Sequence, residues 1–402
     1  MRKKLLLLGG SRYLLPVIES AHELGAHVIT CDYLPNNYAH KYSDEYHNVS
    51  IIDKEAVLEL ARKLEIDGIM SYATDPGVST AAYVAEKMGL PGNNPYESVV
   101  ILQNKGKFRK FLHDNGFNVP YMRTFTSWKD VKCNMLDFPY PVIVKPIDSA
   151  GSKGVTRVDS VDIAVMKNAV EYALANSIGH EVIIEKFIEK LGFSTDSDSL
   201  VINGEVVFFS LNDQWFDSGA ANIYTPAAYC WPSTMPMSYQ NNLQNEVQRL
   251  MKILNMGTSI YNIETRVGMD GKPYIMEVSP RAGGNRLAEM LRYACGQDII
   301  RVSIQGALGL PMDNISQPVY NGHLGIVILH SRAEGIFKGV RLDNRLDGNV
   351  QELDIWVERG DYVRCFTGAN EAIGTLVLKC QTHDELVDIL KRINDLVHIE
   401  VE

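Results

Sequence analysis

Tyr261-Asn-Ile-Glu-Thr-Arg-Val-Gly-Met-Asp-Gly-Lys-Pro-Tyr-Ile-Met-Glu-Val-Ser-Pro-Arg281 reads as two strand-like runs around Asp270-Gly271, a dipeptide that favours a tight hairpin turn. With those two residues as the turn, Glu264 lies directly across from Glu277 and Asn262 from Ser279, and all four share one face. Directly opposed Cβ atoms stand about 4.5–5.5 Å apart, and like charges placed there repel. A cation removes the conflict. Two carboxylates and two neutral oxygen groups suit hard Mg²⁺ or Mn²⁺, which keeps positions for phosphate oxygens. The alternative is an ordinary surface hairpin with two exposed glutamates, and a turn of another length would shift the register by one residue.

Upstream, Pro141-Val-Ile-Val-Lys-Pro146 is a strand ending in Lys145, followed by Ser149-Ala-Gly-Ser-Lys-Gly154. Backbone N–H groups of such a small, basic loop can wrap a polyphosphate while Lys145 and Lys153 balance its charge. The Gly-x-x-x-x-Gly-Lys-Ser/Thr spacing of a Walker loop is absent, and an ordinary glycine-serine turn is the plainer reading. Glu181-Val-Ile-Ile-Glu185 followed by Lys186, Phe187 and Ile188 reads as a buried strand with a charged end. A carboxylate there can accept from an exocyclic amine while neighbouring backbone pairs with a purine edge; taken alone, Glu185 is more often a strand-end surface residue. Lys105 sits on a helix and, by itself, reads as solvated.

Around this middle region the chain is organised simply. Residues 1–95 alternate strands (Leu5 to Leu8, Ala26 to Cys31, Gly68 to Ser71) with helices (Tyr13 to Leu24, and one capped by Asp53). Such alternation implies a parallel sheet. Arg2, Lys3 and Lys4 before Leu5 to Leu8 imitate a signal peptide, but Gly9, Gly10 and Arg12 interrupt the apolar run, which is read as a first strand. Pro91-Gly-Asn-Asn-Pro95 marks a linker. A helix from Asn104 to Asn115 opens residues 96–310, with further strands at Leu200 to Ser210, Ile260 to Val267 and Tyr274 to Ser279. Residues 311–402 carry strands at Leu324 to Leu329 and Gly374 to Cys380 and a helix opened by a Thr382/Glu385 capping box.

Composition narrows the partners. The 402 residues are 46% apolar and 22% charged with a net charge of −10, a soluble globular profile. That balance argues against nucleic acid or an anionic membrane as the main partner, and no run approaches the length needed to span a bilayer. Six scattered cysteines show neither metal-ligand spacing nor a disulfide framework. A reducing cytoplasm is expected.

Taken in order, Lys105, Val144-Lys145-Pro146, Ser149 to Gly154, Glu185-Lys-Phe-Ile188, Glu264 and Glu277-Val-Ser-Pro-Arg281 resemble the ATP-grasp superfamily, in particular its carboxylate-amine ligase branch related to carbamoyl-phosphate synthase and the L-amino acid ligases. The resemblance implies an α/β and α+β architecture: a Rossmann-like pre-ATP-grasp domain, a split ATP-grasp fold with nucleotide between its halves, and a small C-terminal α+β domain. It implies that Lys105 and Lys145 contact the α- and β-phosphates. The loop of Ser149, Gly151, Ser152, Lys153 and Gly154 would close over the triphosphate, and Glu185 with the backbone of Lys186, Phe187 and Ile188 would hold adenine. Glu264, Glu277 and Ser279 would bind Mg²⁺ or Mn²⁺, Arg281 would face the transferred phosphoryl group, and Gly283, Gly284 and Asn285 would face substrate. A homodimer is also implied. Two departures stand out: Ser279 where relatives commonly have Asn, and Gly192 where relatives often carry a ribose-binding Glu.

The expected activity is ATP-dependent ligation, with a small-molecule carboxylate activated as an acyl phosphate and then joined to an amine. Asp213 to Pro236, rich in aromatic residues, is a candidate lid or acceptor wall, and a packed surface loop is its alternative. A non-enzymatic rival is a nucleotide sensor or scaffold that keeps the ATP site. An oxidoreductase, suggested by Gly9-Gly10 and Asp32, lacks the Gly-x-Gly-x-x-Gly pattern.

Overall fold

The computed structural model describes residues 2–92, 94–149 and 152–402. Parallel strands Glu45–His47, His27–Cys31, Lys4–Leu8 and Gly68–Ser71 form the first sheet, in that spatial order. Leu5 to Leu8 are all fully buried, as a central parallel strand covered on both faces requires. Helix Lys54–Leu64 begins where the Asp53 carboxylate accepts from the Ala56 amide.

Two antiparallel sheets follow. The first orders Met122–Phe125, Val182–Lys186, Val142–Pro146 and Thr156–Val158. The second orders Glu205–Phe208, Thr195–Ile202, Ser259–Val267 and Pro273–Ser279. The single strand expected over Leu200 to Ser210 is instead a hairpin, turning at Asn203 and Gly204, both at positive φ. Asn-Gly is the preferred pair for such a turn, so a continuous apolar reading gave way to local turn chemistry.

The segment Asp213 to Pro236 is a β-hairpin rather than an irregular loop. Its strands Asp213–Phe216 and Pro226–Trp231 join His323–His330, Ala372–Cys380 and Val350–Ile355 in a five-stranded sheet. This sheet crosses the boundary drawn at residue 311. A small three-stranded sheet of Tyr362–Val363, Gly335–Leu342 and Val397–Val401 completes the chain. One apolar core joins the first sheet's helices, the helices Leu287–Cys295 and Ile299–Ala307, and the five-stranded sheet through Leu14, Ile18, Leu291, Ile300, Trp231 and Ile326. The burial is continuous, so the parts are held in one relative arrangement by the hydrophobic effect. Among the described residues, no helix is long and apolar enough to cross a membrane.

Candidate active site

The carboxylate hairpin has the expected pairing for an unexpected reason. Glu264 lies opposite Glu277 and Asn262 opposite Ser279, yet the turn is not the two residues Asp270-Gly271. Gly268 N donates to Lys272 O at 3.0 Å and Gly271 N to Gly268 O at 2.8 Å, leaving Met269, Asp270 and Gly271 as the loop. Gly271 takes φ +73°, which a residue with Cβ rarely adopts. Asp270 clamps the loop by accepting from Lys272 N and Tyr274 Oη. The longer loop moves the register by one residue near the turn, and the irregularity between Glu264 and Thr265, with Met276 as the extra residue, moves it back. Bulges of this kind re-aim side chains beside functional sites.

The two glutamates sit beside the glycine-rich loop. Lys105, the first residue of helix Lys105–Asp114, has its Nζ 2.8 Å from the Ser149 carbonyl and 3.5 Å from Glu277 Oε2. Asn104 caps that helix by accepting from Lys107 N. Glu264 accepts from Arg266 at 3.1 Å. Among the described residues, no three His, Cys, Asp or Glu side chains converge as a protein-only metal cage. The partly exposed pair Glu264 and Glu277 fits a divalent ion whose other ligands are phosphate oxygens and water. Ser279 is less free: its hydroxyl donates to Asp75 at 2.8 Å and accepts from Gln103 at 2.9 Å. Asn262 turns its amide N–H groups toward Asp196 and Asp198, at 2.7 and 3.1 Å.

Of the loop residues, Ser152 at φ +58° is held by the tip of the Asp213–Trp231 hairpin. Its Oγ donates to the Tyr224 carbonyl at 3.1 Å, and Asn222 donates to the Ser152 carbonyl at 3.0 Å. Lys153 is exposed and Gly154 is packed on Pro146. Gly151 lies outside the described residues.

Glu185 is buried, and both of its carboxylate oxygens are occupied: Arg109 Nε lies 2.6 Å from Oε1 and Lys145 Nζ 2.6 Å from Oε2. Burial alone would raise this carboxyl, but the two cations hold it at about 2, so it is ionised. The side chain expected to meet adenine is therefore paired with Arg109 and Lys145 in this structure. Phe187 N donates to Pro141 O and Lys186 N to Tyr121 O, which fixes this stretch at the sheet end. Arg109 was not expected, although its spacing from Lys105 puts both on one helix face.

Arg281 reaches into the first domain. Its Nε and Nη2 lie 2.9 and 2.5 Å from the two oxygens of Asp75, and Nη1 donates to the Ala282 carbonyl. Burial works against ionising Asp75, yet the charge and hydrogen bonds of Arg281 keep it below the usual carboxylate range. Each terminal nitrogen of Arg281 has a further N–H beyond these contacts. Asp75, at the start of helix Asp75–Met88, was also missed from sequence; it becomes a site residue only when the two domains pack.

The largest omission is on strand Thr195–Ile202. Asp196 lies opposite Glu264 and Asp198 opposite Asn262, which extends the carboxylate face by one strand. Asp198 Oδ1 also accepts from Gly283 N at 2.8 Å. A Cβ on Gly283 would come within 2.6 Å of Asn262 Nδ2, so glycine permits this approach. Asn285 is buried and donates to Tyr229 Oη at 3.3 Å. Beyond the Asn285–Arg286 turn, a cavity of about 550 Å³ is lined by Arg12, Tyr13, Glu19, Arg286, Glu289 and Trp356.

Desolvation first, then the charges of Glu264 and Asp198, raise Asp196 to about 7; desolvation raises Asp198 to about 6. In the metal-free protein both carboxyls thus bind protons more readily than in the unfolded chain. Their contribution to stability is present at low pH and is lost as pH rises through these values. Urea midpoints are expected to fall as pH rises from the ordinary carboxylate value of 3.8 to about 7, and to fall less in Asp196→Asn. An unchanged slope in that variant would contradict the assignment.

Comparison with known proteins follows the same lines. Residues 102–285 match the ATP-grasp domain. The carbamoyl phosphate synthase large chain of Thermotoga petrophila is 26% identical over 257 residues, which is 63% of this chain and 23% of that one. The formate-dependent phosphoribosylglycinamide formyltransferase of Bacteroides thetaiotaomicron is 24% identical over 416 residues, covering 99% of this chain and 100% of the relative. In fold, the L-amino acid ligase from Bacillus licheniformis superposes with a TM-score of 0.82 at 22% identity, over 100% of this chain and 99% of that one. The sheets on either side of Lys105 and the paired glutamates agree with the domain match: residues 102–285 match an ATP-grasp domain, and the chain as a whole shares the fold of the L-amino acid ligase.

Proposed function

We propose that this protein is an ATP- and magnesium-dependent ligase that activates a small-molecule carboxylate as an acyl phosphate and joins it to an amine, releasing ADP and phosphate. One observation carries the reading. Lys105 bridges the start of the glycine-rich loop and the carboxylate hairpin, 2.8 Å from Ser149 O and 3.5 Å from Glu277, which supports a basic group, a phosphate-binding loop and a metal-binding pair acting together.

Glu264 and Glu277 would hold the magnesium, which when bound neutralises charge on the phosphate oxygens. Lys105 and Lys145 balance the α- and β-phosphates, and Ser149 to Gly154 covers them. The substrate carboxylate oxygen attacks the γ-phosphorus as the bond to ADP breaks. The amine nitrogen then attacks the acyl carbon, and phosphate leaves. Arg281, oriented by Asp75, offers its remaining N–H groups to the transferred phosphoryl oxygens. Such a transfer depends on positioning and electrostatic stabilisation more than on a protein nucleophile. The tip of the Asp213–Trp231 hairpin bonds Ser152 through Asn222 and Tyr224, and would help to exclude water from the acyl phosphate.

The test is an ADP-release screen of carboxylate and amine pairs with mass spectrometry of the products. A product whose mass equals acid plus amine minus water is expected. Tight ATP binding with no ADP release across the panel would favour a sensor or scaffold instead.

A further inference from the structure

The glycine-rich loop carries one residue in a backbone conformation that its side chain disfavours. Ser152 lies at φ +58°, in the left-handed region that residues with a Cβ rarely enter. Such a conformation persists where the surroundings over-determine it, and here they do so through the tip of the Asp213–Trp231 hairpin, residues 217–225. Ser152 Oγ donates to Tyr224 O at 3.1 Å, and Asn222 Nδ2 donates to Ser152 O at 3.0 Å. Asn222 is itself bound on every side. The same Nδ2 donates to Thr367 O at 3.0 Å, Oδ1 accepts from Tyr224 N at 3.0 Å, and the backbone N–H donates to Phe366 O at 3.1 Å. Two carbonyls facing the nitrogen and an amide N–H facing the oxygen fix which way the side chain points. Both of its donors join segments that lie far apart in the chain, Ser152 and Thr367.

The Thr367 end is the firmer of the two. Phe366 is fully buried in the core that joins the sheets, its ring stacks on His330 with centroids 4.1 Å apart, and its N–H donates to Ser331 O. His330 Nε2 and Arg332 Nε lie 3.1 and 2.9 Å from the carboxylate of Asp217 at the start of the tip, and Asp217 also accepts from Gly219 N. The tip is thus anchored on residues 330–332 and 366–367 and presents Asn222 to the loop. Resting on the ligase reading above, we infer that Asn222 is a positioning residue for the glycine-rich loop: it transmits the fixed geometry of the Phe366-Thr367 segment to Ser152 and holds the loop in the form that covers the triphosphate. Residues 311–402 thereby take part in nucleotide capture, although their sequence shows packing signals and little chemistry. Release of Asn222 lets Ser152 relax toward negative φ and the loop leave the closed form.

Lys153, exposed and next to Ser152, makes the loop readable by trypsin. In nucleotide-free Asn222→Ala, cleavage after Lys153, followed by mass spectrometry of the peptides, should be about tenfold faster than in the wild type, the scale of one or two lost hydrogen bonds. Cleavage of a transiently opened segment tracks the population of its open form. The Kd for Mg-ATP, measured by calorimetry, should rise about twofold to tenfold, since only the closed fraction binds tightly, and the KM values for carboxylate and amine should change far less. Asn222→Ala should also release more ADP per ligated product than the wild type, as acyl phosphate is lost to water. Asp217→Asn, which alters only the anchor of the tip, should move cleavage and Kd in the same direction by a smaller factor. Unchanged Lys153 cleavage and unchanged Kd in folded Asn222→Ala would overturn the coupling, and so would an equal rise at every tryptic site, which is ordinary destabilisation. A wild-type protein that releases no ADP with any carboxylate and amine pair would instead overturn the ligase reading; the trypsin and calorimetric arms need no turnover and still decide the role of Asn222.

Discussion

Glu277→Gln should lower ADP release by about two to three orders of magnitude, the usual cost of removing one preorganised electrostatic partner from a transferring group. The substitution preserves shape and removes charge. Glu277 faces Glu264 across the hairpin and lies 3.5 Å from Lys105, so in the proposed reading its charge would serve both the metal and the lysine that touches the glycine-rich loop. The loss should appear mainly in kcat and be eased by raising the magnesium concentration, because a weaker metal site is refilled by mass action. The measurement is a coupled ADP assay across a magnesium titration with the carboxylate and amine found by the screen. Full turnover at ordinary magnesium would remove Glu277 from the metal site.

Arg109→Met should destabilise the fold by about 3 kcal/mol, within the range seen when one partner of a buried ion pair is deleted. Arg109 is fully buried and Glu185 nearly so, and water cannot replace the lost N–H at 2.6 Å. Lys145 remains as a second cation on the other oxygen, which keeps the expected loss at the lower end. The double variant Arg109→Met, Glu185→Gln should recover part of the stability, since the uncompensated charge is then gone. Urea denaturation of the three proteins checks this, and a single-variant change below about 1 kcal/mol would show that Lys145 alone satisfies Glu185. The same ion pairs set an acid limit. Glu185 is held at about 2 against an ordinary 4.5, so its stabilisation is present above the ordinary value and is lost as pH falls toward the lower one.

The legible parts of the site were those with a strong local signal. Lys145 follows a run of β-branched residues, Asn104 caps the Lys105 helix, and Glu264 and Glu277 flank an Asp-Gly turn. The hairpin shows how local reading can reach the right pairing through the wrong turn: a three-residue loop and a bulge at Met276 offset each other. Strand Thr195–Ile202 was invisible at its start because both of its faces are polar. Asp196 and Asp198 face the site, and Thr195, Ser197 and Ser199 are buried on the other face, with Thr195 bonded to Thr265 at 2.6 Å. Hydrophobic alternation, the usual mark of a strand, is absent there. Glu185 was placed correctly at a strand end, but its partner Arg109 lies 76 residues away in sequence.

Sequence alone determined the alternating strands and helices of the first domain, the lysine-bearing strand, and the two opposed glutamates, because capping, turn propensity and apolar periodicity act over a few residues. Tertiary structure alone decided that Asp75 clasps Arg281 across the domain junction, that Glu185 is clamped between Arg109 and Lys145, and that Asp196 and Asp198 extend the carboxylate face. Those pairings join residues far apart along the chain, and whether such charges attract, repel or lose their water is set by distance and burial in the folded molecule.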